Sequence, residues 1–119
     1  MTRDFELELF AELIKRTRFS LNTEAETKIQ MAAVFKANGL SFTTEHVLDA
    51  QSRLDFFMDG TAIEVKLKGA RMEIYRQCER YLAHPDVTDL ILITNRAMCL
   101  PERINGKRAI VLNLGRAWL

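Results

Sequence analysis

What this chain of 119 residues has little of narrows its class first. It holds two cysteines, Cys78 and Cys99, at no motif spacing, so reduced thiols are expected rather than a disulfide framework. Its two histidines, His46 and His84, stand apart from each other and give no Cys/His zinc pattern. Two prolines and five glycines leave no Pro/Gly-rich linker, and there are no repeats or low-complexity stretches. No apolar run approaches the roughly 20 residues needed to cross a bilayer. Acids at Asp4 and Glu6 come too early for a secretory signal, so a cytoplasmic protein is expected. An excess of one charge is also missing. Net charge is +1, which does not announce nucleic acid. The distribution says more: residues 1–50 carry 6 basic and 8 acidic side chains, whereas residues 51–119 carry 11 basic and 8 acidic.

What remains is 48% hydrophobic and 28% charged, the composition of one ordinary globular domain spanning residues 1–119. Apolar periodicity predicts a helix over 3–17, with Leu7, Phe10 and Ile14 on one stripe and Leu9 and Leu13 beside it. Thr23-Glu-Ala-Glu26 has capping-box spacing and opens a second helix, which runs to about Asn38 before Gly39. Extended segments follow at about 41–48, 53–58 and 61–68, an antiparallel meander. A helix over 71–83 stops at His84-Pro85. Leu90-Ile-Leu-Ile93 reads as a strand buried on both faces and parallel to the third strand across a right-handed crossover. Pro101 to Gly106 reads as a loop and 108–113 as a last strand. The order ααβββαββ is an α/β fold with a single mixed β-sheet flanked by helices.

The most informative stretch is the hairpin around Asp59-Gly60, a dipeptide suited to a two-residue turn. With that turn at the tip, Met58 pairs with Thr61, Phe57 with Ala62, Phe56 with Ile63 and Asp55 with Glu64. Opposed side chains share a face with Cβ atoms roughly 5 Å apart. Lys66, two residues past Glu64, shares that face. The other face carries Leu54, Phe56, Met58, Ile63, Val65 and Leu67, a core surface. Two opposed carboxylates repel, and a divalent cation would offset the repulsion. A solvated polar edge is the alternative, but Phe57 and Ala62 accompany the charges, and unpaired buried carboxylates are costly.

An Asp, a gap and Glu-x-Lys across a hairpin, after a helix bearing a glutamate, resembles the PD-(D/E)XK nuclease superfamily. Its restriction-endonuclease-like core is αβββαβ, which matches residues 23–95; here an extra N-terminal helix and C-terminal strand are added. Leu54 stands where the name has its proline. Gln77-Cys-Glu-Arg-Tyr81, on the helix after Lys66, is similar to the Q-x-x-x-Y motif of RecB-type nuclease domains, and its glutamine also resembles the VRR-NUC group. The resemblance implies a metal-dependent phosphodiesterase. Asp55, Glu64 and the Val65 carbonyl would hold Mg²⁺ or Mn²⁺, joined by Glu26 from the preceding helix. Glu24 is the substitute if Glu26 serves the capping box, and Glu45 is a lesser candidate. Lys66 would place its ammonium near the attacking water or the phosphate. Gln77 could orient a phosphate or a catalytic side chain and Tyr81 support the site, although helix packing explains both residues equally well. Lys68, Arg71, Arg76 and Arg80 are the candidate DNA contacts.

The expected function is a small metal-dependent deoxyribonuclease acting on DNA structure. A homodimer is conceivable, with Leu7, Phe10 and Ile14 as its face, although core packing competes for that stripe. The alternatives are a subunit working with a helicase or other DNA-processing partner, and a catalytically silent nucleic-acid-binding module of the same fold.

Overall fold

The structure, a computed structural model, describes residues 3–115, with side chains from residue 7 onward. Among the described residues nine elements follow one another: α1 (Arg3–Arg16), α2 (Glu24–Ala37), β1 (Thr43–Asp49), β2 (Ser52–Met58), β3 (Thr61–Lys66), α3 (Arg71–Leu82), β4 (Asp89–Thr94), β5 (Arg103–Ile104) and β6 (Lys107–Asn113). All six strands join one mixed sheet in the order β1-β2-β3-β4-β6-β5. The meander β1-β2-β3 is antiparallel, and β3, β4 and β6 run parallel. The predicted boundaries hold to within a few residues. The segment expected to be only loop between Pro101 and Gly106 instead contains β5, turned back onto β6 by Asn105 and Gly106 at φ 55° and 75°. Two successive left-handed residues give a turn whose twist matches the strands it joins. No described helix is long and apolar enough to cross a membrane.

Each sheet face has its own core, as expected of parallel strands covered on both sides. On one face Leu7, Ala11 and Ile14 of α1 and Met31 and Phe35 of α2 pack on Phe56, Ile63, Val65, Ile91 and Leu112. Phe35 is the hub, with ring centroids 5.1 Å from Phe10, 5.4 Å from Phe42 and 5.3 Å from Phe56. The α1 stripe read as a dimer face is therefore spent inside the domain, with Leu7 and Ile14 buried and Phe10 packed against the same core. On the opposite face α3 lays Ile74, Cys78, Tyr81 and Leu82 over Ala62, Leu90, Leu92 and Ala109.

Two expectations about side-chain direction are corrected. Leu54 packs in the α3 core and not with Phe56, so the alternation along β2 breaks at Asp55. Across from it on β1, Glu45 sits at φ 48°, a left-handed conformation unusual for a side chain with a Cβ. The α2 stripe also differs. The reading that turns Glu26 toward the site sets Ile29, Ala33 and Lys36 as the core-facing stripe, but Thr27, Met31 and Phe35 are the buried residues and Ile29 is 72% exposed.

Candidate metal and phosphate site

The hairpin pairs as its turn dictates, Met58 with Thr61, Phe57 with Ala62 and Phe56 with Ile63. Asp59 and Gly60 take φ 47° and 89°. One residue further on, the regular ladder stops. The Asp55 amide donates to Glu64 Oε1 at 2.7 Å, and the Val65 amide donates to Asp55 Oδ2 at 2.8 Å. Each carboxylate thus takes over an amide of the facing strand. The side chains wedge between β2 and β3, which accounts for the broken alternation at Leu54.

Electrostatics at this wedge are one-sided. Glu64 is 2% exposed. Burial first, and the Asp55 charge second, push its carboxyl up to about 8, against the pull of the Asp55 amide, Lys66 and Lys28. Lys66 lies on the same face and is close enough to draw Glu64 downward. Beneath the pair Cys78 is buried, its thiol pushed up to about 12 by desolvation and then by Glu64, so it is no nucleophile at neutral pH.

Lys28 was missed by the sequence reading. Its Nζ lies 3.2 Å from Asp55 Oδ1 and 3.4 Å from Glu45 Oε1. Partial burial works to lower its pKa, but the two carboxylates outweigh it and the net shift is upward. The signal was the phase of α2, since position 28 borders the stripe of Thr27, Met31 and Phe35.

That same phase exchanges the two helical glutamates. Glu26 does not reach the wedge. The Thr23 hydroxyl caps its amide at 3.1 Å, and its Oε2 accepts from Ser20 Oγ at 3.1 Å on the surface. Glu24, one turn before Thr27 and Lys28, instead accepts the Leu67 amide on Oε1 at 2.9 Å, just past Lys66. Among the described residues, no three Asp, Glu, His or Cys side chains form a metal-holding group. The hard-oxygen donors at the wedge are thus the Asp55 and Glu64 carboxylates, a set that suits Mg²⁺, which commonly uses one or two carboxylates and keeps waters.

On α3, the Tyr81 hydroxyl donates to the Arg53 carbonyl at 2.9 Å, and the ring is 2% exposed. Burial first, and Glu64 second, raise its pKa, while a hydrogen bond from Gln77 works the other way. Gln77 and Tyr81 therefore form one unit that ties α3 to β2 two residues before Asp55. The four candidate DNA contacts separate in space. Lys68 and Arg71 are exposed where β3 gives way to α3. Arg76 is exposed farther along the helix, and Arg80 binds Ser52 Oγ at 3.0 Å with its guanidinium 5.5 Å from the Tyr81 ring centroid.

No protein-family model, curated protein or solved structure matches this chain.

Proposed function

We propose that the protein is a metal-dependent deoxyribonuclease of the PD-(D/E)XK type, with the restriction-endonuclease-like arrangement of that superfamily, acting on DNA structure rather than on long sequence. The observation that carries this reading is the interlocked pair of Asp55 and Glu64, held by each other's strands and beside Lys66. Burial first, and the Asp55 charge second, raise the Glu64 carboxyl to about 8, and a bound cation would favour its ionised form. Asp55, Glu64 and the Val65 carbonyl would hold Mg²⁺ or Mn²⁺. When bound, such an ion supplies Lewis acidity and a water of lowered pKa. Lys66 directs its ammonium to the same face, where it would stabilise charge developing on a phosphate. Gln77 and Tyr81 act as positioning residues that steady β2 beneath Asp55. Glu24 steadies the end of β3.

One observation favours a second reading. Lys28 already neutralises Asp55, so the pair is partly satisfied without any bound ion. A catalytically silent or partner-dependent nucleic-acid-binding module would keep such a lysine in place of a metal.

The deciding experiment offers linear duplex, single strand, flap and four-way junction DNA with Mg²⁺, Mn²⁺ or EDTA. The nuclease reading expects metal-dependent cleavage that Lys66→Ala abolishes. Intact DNA in every form, at high protein and with Mn²⁺, would move the conclusion to the binding module.

A further inference from the structure

The α3 face of the sheet continues beyond the wedge. Lys66 is in register with Thr94 on β4, and Thr94 with Asn113 on β6. These three form one row at the carboxyl ends of the parallel strands, where open α/β sheets commonly bind ligands. Strands lie about 4.8 Å apart, so Asn113 stands roughly 10 Å from Lys66. At the far end of the row, a groove of about 780 Å³ opens between the first turns of α3, the segment after β4 and strand β6. Its volume falls in the range of small-molecule clefts, roughly 300–1,000 Å³.

The lining is mainly apolar, with one cation, Arg71, and one amide, Asn113. Tyr75, Met72, Met98 and Cys99 supply aromatic and soft apolar surface. Arg71 stands at the first position of α3 and donates to the Ala97 carbonyl at 3.3 Å, which aims the guanidinium along the groove wall. Arg96, next to the lining residue Ala97, donates to the Gly69 carbonyl at 2.6 Å. Neither arginine makes an ion pair among the described residues. Helix α3 has no side-chain cap at Ala70, so its first amides and its dipole reinforce Arg71 in favouring an anion.

We propose that this groove seats an unstacked nucleotide of single-stranded or frayed DNA, with its base on Tyr75 and its phosphate at Arg71. The proposal rests on the nuclease reading for the phosphodiester placed at Lys66 and names the substrate as DNA with an unpaired segment. An apolar peptide would find the same greasy wall, but it has no anion for Arg71 and the open helix end.

Cys99 is exposed in the groove, whereas Cys78 is buried, so maleimide labelling of the native protein reports occupancy. The test uses the Lys66→Ala protein in Mg²⁺, with an oligothymidylate of about twelve nucleotides and a blunt duplex as separate probes. The oligothymidylate should slow Cys99 labelling at least about fivefold and the duplex should not. Tyr75→Ala should weaken oligothymidylate binding about tenfold, with Tyr75→Phe restoring it, because stacking on one ring is worth about 1–3 kcal/mol. Unchanged labelling at saturating oligothymidylate, equal protection by duplex, or unaltered binding by Tyr75→Ala overturns the proposal. The two readings fail separately. Cleavage that needs Lys66, with Cys99 unprotected, removes the groove alone; protection without cleavage by the unmutated protein keeps the groove and removes the nuclease.

Discussion

Asp55 and Glu64 are interlocked: the amide of the first donates to the carboxylate of the second, while the carboxylate of the first holds the amide that follows the second. Such an exchange fixes two carboxyl groups at close range, one buried and one half-buried. It has measurable consequences.

Glu64 should make the metal-free protein less stable as pH rises. Its carboxyl is raised from 4.5 to about 8 in the folded state, so between those values the folded chain keeps a proton that the unfolded chain has lost. Stability is then fully present below about 4.5 and falls as pH climbs through about 8. Urea titrations in EDTA at several pH values in that window should show the decline, and Glu64→Gln should flatten it. Mg²⁺ should restore more stability at the alkaline end than at the acid end. A slope equal in both proteins would refute the assignment.

Replacing Lys28 should expose the demand for a cation. The ammonium is partly exposed and pairs with a less exposed Asp55, so Lys28→Met should cost about 1 kcal/mol in EDTA at neutral pH. With Mg²⁺ present that deficit should vanish, and calorimetry should show tighter metal binding, since the ion no longer competes with an ammonium. Weaker metal binding in Lys28→Met would instead mean that the lysine holds Asp55 in place for the ion.

Glu24 and Glu26 should behave oppositely. Glu24→Ala leaves the partly buried Leu67 amide without its acceptor, at a cost of about 1–3 kcal/mol, and should lower cleavage by loosening the strand end that carries Lys66. Glu26→Ala removes only a surface bond to Ser20 and should stay within about 0.5 kcal/mol. Paired stability and cleavage measurements on both variants check this.

Tyr81→Phe should separate packing from chemistry. Losing the hydroxyl deprives the Arg53 carbonyl of its donor and should cost about 1 kcal/mol. A positioning role predicts a modest fall in rate with an unchanged metal requirement. A loss as large as that of Lys66→Ala would make the phenol a catalytic group.

Legibility followed the range of the forces involved. The Asp59-Gly60 turn is local, and it set the register that brought Asp55 to Glu64. The β3-α3-β4 unit was readable because a continuous apolar run and a helix between strands leave few packings. The short β5 was hidden, since two residues carry no period. The phase of α2 was misread because Ala25, Ile29, Met31, Ala33 and Val34 spread apolar surface around the helix. With that phase went Glu24, Glu26 and Lys28.

By itself, then, the sequence determined the elements, the hairpin register and the nearness of two carboxylates and a lysine, all of which depend on neighbours along the chain. Only the tertiary structure decided that Asp55 and Glu64 wedge the strands apart, that Leu54 turns to the α3 core, and that Lys28 of a distant helix reaches Asp55. Those outcomes depend on which helix face wins the sheet. That contest is settled by aromatic packing around Phe35 and by the cost of burying charge, neither of which has a signature in any one segment.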